Sequence, residues 1–363
     1  MNIAFFGSSL VSSYWNGAAT YYRGLLKSLA GLGHDITFYE PDAFERQQHR
    51  DMADPAWARV VVYPATADGW QAALAQAAAH ADLVAKASGV GVFDTELEIA
   101  VPELAGPRRL VVYWDVDAPA TLDAIAADER HHLRRMIPRF DMVLTYGGGD
   151  PVVRAYKVAG ARECVPVYNA LDPDTHHPAP AIRDFACDLS FLGNRLPDRE
   201  TRVEEFFLGP ATLLPHRTFL LGGSGWDSKS VPRNVRIAGH VGSGQHNAFF
   251  CSGMATLNVN RESMARYGFS PPTRVFEAAG AGACLITDAW EGIEQFLAPD
   301  EEVIVAGSGE AVADALARLT ADDARRMGDA ARARILAAHT YAHRAAQVIK
   351  VLDMATASSE AAE

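Results

Sequence analysis

The chain has 363 residues, 49% of them apolar and 21% charged, with a formal net charge of −12 at pH 7, a pI near 5.5 and a mean hydropathy of −0.04. That is the length of about two ordinary domains, with apolar content enough for two buried cores, which excludes a disordered chain. The acidic balance argues against a nucleic-acid surface and leaves room for a local basic pocket.

The sequence opens directly on the strand-like run NIAFFG, with no basic leader before an apolar segment and no apolar stretch near about 18 residues. No transmembrane segment is expected, and the expected location is cytoplasmic. Cys164, Cys187, Cys251 and Cys284 lack CxxC spacing and sit in apolar contexts, which reads as reduced core thiols rather than zinc ligands.

In chain order, a strand at 2–6, a Gly-Ser turn at 7–9, a helix from 18 to 32 and a strand at 35–39 make one βαβ unit. Further strands are expected at 60–63, 83–86, 109–114 and 142–145, interleaved with alanine-rich helices such as 70–80. This alternation implies a parallel sheet with helices on both faces. Gly7 does not begin a G-x-G-x-x-G run and no acid follows at the spacing a dinucleotide ribose needs, so NAD is disfavoured. Asp115-Val116-Asp117 is a literal D-x-D at a strand end, but Asp117 followed by Ala118-Pro119 reads better as a helix cap than as a metal ligand. Gly148 lies in a glycine run before a helix near Pro151, with Asp150 as its expected cap.

The stretch 167–180, where prolines and a His-His pair interrupt periodicity, reads as a linker. Neither His176 nor His177 receives a role, since adjacent histidines make a poor metal pair. Strands resume at 187–192, 218–222, 235–238, 255–258, 284–287 and 302–305, and 309–352 is strongly helical. Gly193, Arg195 and Arg199 lie just beyond the first of these strands, where open α/β sheets bind ligands. His240 lies in the glycine-containing loop after 235–238, and Asn260 and Arg261 follow 255–258, where helix capping is an equal alternative.

The most informative segment is NVNRESMARYGFSPPTRVFEAAGAGACLITD, residues 258–288. It reads as a polar loop containing Ser270, a helix opening near Pro272 with Thr273 and Arg274 in its first turn, a small-residue turn at Gly280 and Gly282, and a short buried strand. Arg274 and the amides at the helix start suit an anion, and Glu277, one turn on, suits a vicinal diol. A βαβ crossover carrying a surface Arg–Glu pair is the alternative.

RVFEAAGAGACLITD resembles the nucleotide-sugar half of GT-B glycosyltransferases, and RYGFSPPTRVFEAAGAGA is similar to the CgeB, or spore-maturation-protein, branch. The resemblance implies an α/β GT-B fold of two Rossmann-like doubly wound domains facing a central cleft. It places an acceptor-side domain at 1–175, a donor domain at 181–338 and a helix at 339–355 crossing back. It implies sugar transfer from a UDP-, GDP- or TDP-linked donor to an unidentified glycan, small molecule or protein, with no cofactor and no metal.

The donor contacts implied are Gly193, Arg195, Arg199, His240, Asn260, Arg261, Ser270, Thr273, Arg274 and Glu277, with Arg195 and Arg274 stabilising the departing diphosphate. Gly17, Asp117 and Gly148 fall to the acceptor side, Asp117 as a base if configuration inverts. Retaining members carry two glutamates separated by seven residues; Glu277 matches the second and Phe269 occupies the first position. A nucleotide-sugar 2-epimerase of the same fold and a noncatalytic sugar-binding or assembly protein are the competing readings.

Overall fold

The computed structural model describes residues 1–360, and it divides into two compact units, one of Met1–Asn169 with the terminal helix from Tyr341, the other of Ala170–Thr340.

In the first unit the strands are β1 (Asn2–Phe6), β2 (Asp35–Asp42), β3 (Ala58–Pro64), β4 (Leu83–Ala87), β5 (Leu110–Asp115), β6 (Met142–Thr145) and β7 (Cys164–Pro166). They form one sheet in the order β3-β2-β1-β4-β5-β6-β7, and every pairing is parallel. Parallel strands are covered on both faces, which is why the central ones read as nearly continuous apolar runs such as the LVVYW of β5. The order reverses between β1 and β4, so the carboxyl ends of those two strands mark the crevice where such sheets take ligands. The terminal helix Tyr341–Glu360 lies on the helix Ala19–Gly31, where Gly24 leaves room for the Tyr341 ring: a Cβ on Gly24 would lie 2.1 Å from it.

The second unit repeats the plan with β8 (Cys187–Leu192), β9 (Phe219–Gly222), β10 (Val235–Gly239), β11 (Gly253–Asn258), β12 (Leu285–Asp288) and β13 (Ile304–Ala306). The order is β10-β9-β8-β11-β12-β13, again wholly parallel, with the reversal between β8 and β11. Its core joins Leu189 and Phe191 of β8 to Leu257 of β11, Ile286 of β12 and the aromatic side chains Phe206, Phe207 and Trp226. The helix Thr273–Gly280 is the crossover from β11 to β12, so its start lies at the carboxyl edge of the sheet. The short β7 has no counterpart in the sequence-based expectation, because three residues carry no periodicity.

Candidate nucleotide-sugar site

The helix Thr273–Gly280 carries the central pair. Its N-cap, Pro272, contributes no side-chain cap, so the positive end of the helix dipole is not quenched from that position. Arg274 and Glu277 lie one turn apart on the same side, with Nη1 3.8 Å from a carboxylate oxygen and both side chains largely shielded, 19% and 10% exposed. The Arg274 guanidinium lies over the Phe250 ring, 5.5 Å from its centroid; Phe250 comes from the helix His246–Ser252, which precedes β11. Among the described residues Arg274 Nη1 has no hydrogen-bond partner. A largely shielded guanidinium placed over an aromatic ring with an unsatisfied N–H is a donor prepared for an anion.

Glu277 is 7% exposed. Burial pushes its carboxyl up, yet His176, Arg274, His246 and the Thr273 hydroxyl together hold it below the usual glutamate range. It is therefore ionised near neutral pH and accepts hydrogen bonds only. His176, His246 and Glu277 each present a ligand atom, and these atoms lie within 4.8 Å of one another. Burial drives the His246 imidazole down to about 4, with Glu277 opposing that shift, so this ring is neutral around pH 7.

The expected donor residues are distributed as follows. Thr273, Arg274 and Glu277 come together on one helix. Ser270 is buried and donates to the Gly268 carbonyl at 2.9 Å, which fixes the loop entering that helix. Asn260 is fully buried; its backbone N–H donates to Asp288 Oδ1 at 3.1 Å, its Oδ1 accepts from Asn258, and its Nδ2 lacks a partner among the described residues. Arg261 occupies the N-cap of the helix Glu262–Tyr267 without a side-chain capping bond, so capping does not account for it.

Gly193 and Arg199 meet at the mouth of β8, where a Cβ on Gly193 would lie 2.9 Å from Arg199 Nη1. Arg195 forms a two-pronged pair with Glu200 at 2.8 and 2.7 Å, and this guanidinium, with Lys229, holds Glu200 down to about 2. Solvent screens this partly exposed pair, so Glu200 does not bar a diphosphate from Arg195. His240 is exposed beyond β10; the histidine that faces Glu277 is His246, six positions on.

On the acceptor side, Gly17 precedes the helix Ala19–Gly31 with nothing within 4 Å of where its Cβ would lie, so a ligand can approach the backbone there. Gly148 has φ of 92° and occupies the N-cap of the helix Gly149–Val158. Asp150 is thus inside the first turn, where the sequence reading made it the cap; three glycines permit a left-handed entry that moves the boundary back. Asp117 is the N-cap residue of Ala118–Ala127, but its side chain makes no capping bond, contrary to the cap reading. The polar hub is Asp115, fully buried and accepting from Ser88 Oγ at 2.7 Å, Asp117 N at 3.0 Å, Thr121 Oγ1 at 3.1 Å and the Tyr156 hydroxyl. Burial nevertheless pushes its carboxyl up, these bonds opposing. An aspartate committed to four internal donors is a structural member and not a metal-holding D-x-D.

Phe269, at the position of the first family glutamate, has φ of 46°, and its ring lies where a Cβ on Gly292 would be, 2.2 Å away. No carboxylate is supplied there. Sequence reasoning missed His176, His246 and Phe250: it gave His176 no role, and beyond 235–238 it chose His240 instead of His246.

Two sheets of this order, each a parallel doubly wound unit, define the GT-B fold. Residues 199–350 match the family model described as glycosyl transferase-like. Among solved structures, the chain is similar to a sucrose-phosphate synthase from Thermosynechococcus elongatus, with 13% identity, a TM-score of 0.75, and 99% of this chain and 100% of that chain covered. It is also similar to HepE from Anabaena in complex with UDP and glucose, with 16% identity, a TM-score of 0.65, and 98% and 100% covered. A third is an alpha-glucosyltransferase in complex with UDP-glucose and DNA containing an abasic site, with 12% identity, a TM-score of 0.67, and 98% and 99% covered. No curated protein matches the sequence. Among the described residues no helix is long and apolar enough to cross a membrane.

Proposed function

We propose that the protein is a cytoplasmic glycosyltransferase of the CgeB-like branch that moves a hexosyl group from a nucleoside-diphosphate sugar to an acceptor, without needing a metal ion. The observation that carries this reading is the pair on one helix: an unsatisfied, ring-stacked guanidinium at Arg274 and an ionised, buried carboxylate at Glu277. The spacing suits a diphosphate against Arg274 and the helix start, with ribose hydroxyls donating to Glu277. As the glycosidic bond breaks, charge gathers on the leaving diphosphate. Arg274 and the helix dipole lower the barrier by stabilising that charge more than the ground state, and this supplies what a divalent ion would otherwise provide. Arg195 and Arg199 add positive charge from the mouth of β8. The relatives solved with UDP and with UDP-glucose support a uridine nucleotide as the first donor to test.

The acceptor falls to the first unit, with Asp117 as the base if configuration inverts. The branch assignment is supported by RYGFSPPTRVFEAAGAGA.

The test is nucleotide release from a panel of UDP-, GDP- and TDP-sugars in the presence of candidate acceptors. One donor is expected to turn over with matching sugar transfer, and Glu277→Ala is expected to lose at least tenfold in kcat/KM. A donor that is only isomerised, with no acceptor consumed, would overturn the transferase reading in favour of an epimerase.

A further inference from the structure

We propose that His176, His246 and Glu277 form a binding site for a divalent metal ion of the zinc class. The three residues come from separate places, the segment before β8, the helix before β11 and the crossover after it, and their ligand atoms converge within 4.8 Å. Tetrahedral zinc with nitrogen and oxygen ligands at about 2.0–2.1 Å needs those atoms about 3.4 Å apart, a contraction within reach of side-chain rotation.

His176 Nδ1 lies 3.0 Å from Thr175 Oγ1, so that side of the ring already has a hydrogen-bond partner. Its Nε2 is buried, His176 being 8% exposed, and lacks a hydrogen-bond partner among the described residues. A buried polar atom left without a partner is unfavourable, and an ion held among the three converging groups would satisfy it. A hydrogen bond at the far ring nitrogen is also what orients a metal-ligating histidine. His246 supplies the third ligand group: its Nδ1 also lacks a partner among the described residues.

Arg274 opposes a dication, with Nη1 3.8 Å from Glu277. That repulsion acts on every divalent ion alike, so the two imidazoles decide the selectivity. They favour zinc, copper or nickel over magnesium and calcium, which prefer an all-oxygen shell. The same repulsion makes this a moderate-affinity site rather than a permanent structural one. If Glu277 also takes the donor ribose, zinc and nucleotide exclude each other, and the metal is an inhibitor; this consequence alone rests on the proposed function.

The experiment uses the full chain, freed of metal with a chelator. Zinc binding is read by competition with a chromophoric indicator, and cobalt(II) by its visible spectrum. One zinc per chain is expected, with His176→Ala and His246→Ala each weakening it at least tenfold while leaving the circular dichroism unchanged, and a tetrahedral-type cobalt spectrum lost in both variants. Absence of stoichiometric binding, or binding that both variants retain, overturns the site. Calorimetry of UDP with the metal-free protein reads the donor assignment separately: UDP binding without zinc binding overturns only the metal site, and zinc binding without UDP binding supports the metal site while removing the donor reading.

Discussion

Replacing Arg274 by alanine separates a ligand-binding arginine from a structural one. In the free protein this guanidinium has one distant ionic partner, Glu277 at 3.8 Å, one ring contact with Phe250, and an Nη1 without a hydrogen bond. Its removal therefore costs modestly in stability, about 1 kcal/mol for the partly shielded pair and the stacking together. Its loss from a complex is larger. Charge-assisted hydrogen bonds to a diphosphate contribute about 1.5–3 kcal/mol, which corresponds to roughly 10- to 150-fold in affinity. Titration calorimetry of UDP is expected to show that loss, with the folded state verified by urea denaturation. Arg274→Lys keeps the charge but gives up the planar fork and the stacking, and is expected to fall between wild type and alanine. Unchanged UDP affinity in Arg274→Ala would refute the assignment, whatever happened to stability.

Two further outcomes follow from buried groups. His246 is held down to about 4 by burial, from the usual histidine value of 6.5, so between those values the unfolded chain binds a proton that the folded chain refuses. Stability is expected to fall by about 1–3 kcal/mol as pH drops through that window, and His246→Gln to flatten the slope in urea titrations at pH 6.5 and 4.5. Asp115→Asn presents an amide to donors from Ser88, Asp117, Thr121 and Tyr156; at least one is left unsatisfied, and chemical denaturation is expected to show a loss of about 2–4 kcal/mol.

The strand plan was legible in the sequence because parallel strands covered on both faces are nearly continuous apolar runs, as in the LVVYW of β5. The helix bearing Arg274 and Glu277 was legible because its contacts are local: Pro272 sets the start, and three residues place the two side chains together. What sequence did not disclose is long-range. His176 and His246 are 70 positions apart, and their segments are joined by Asn247, which accepts from His177 N and donates to the Thr175 carbonyl. The adjacent histidines at 176 and 177 received no role, because neighbours in sequence make a poor metal pair. The D-x-D failed for a related reason: which aspartate points inward depends on the period of β5, and Asp115 ends that strand buried while Asp117 begins a helix.

In the proposed function the second unit holds a nucleoside diphosphate between Arg274 and the start of its helix, with Glu277 on the ribose. The decisive experiment is a crystal structure with UDP bound. Phosphate oxygens are expected within hydrogen-bond distance of the Arg274 guanidinium, with the ribose hydroxyls donating to the Glu277 carboxylate. A diphosphate bound elsewhere, with Arg274 still on Phe250 and Glu277 untouched, would contradict it.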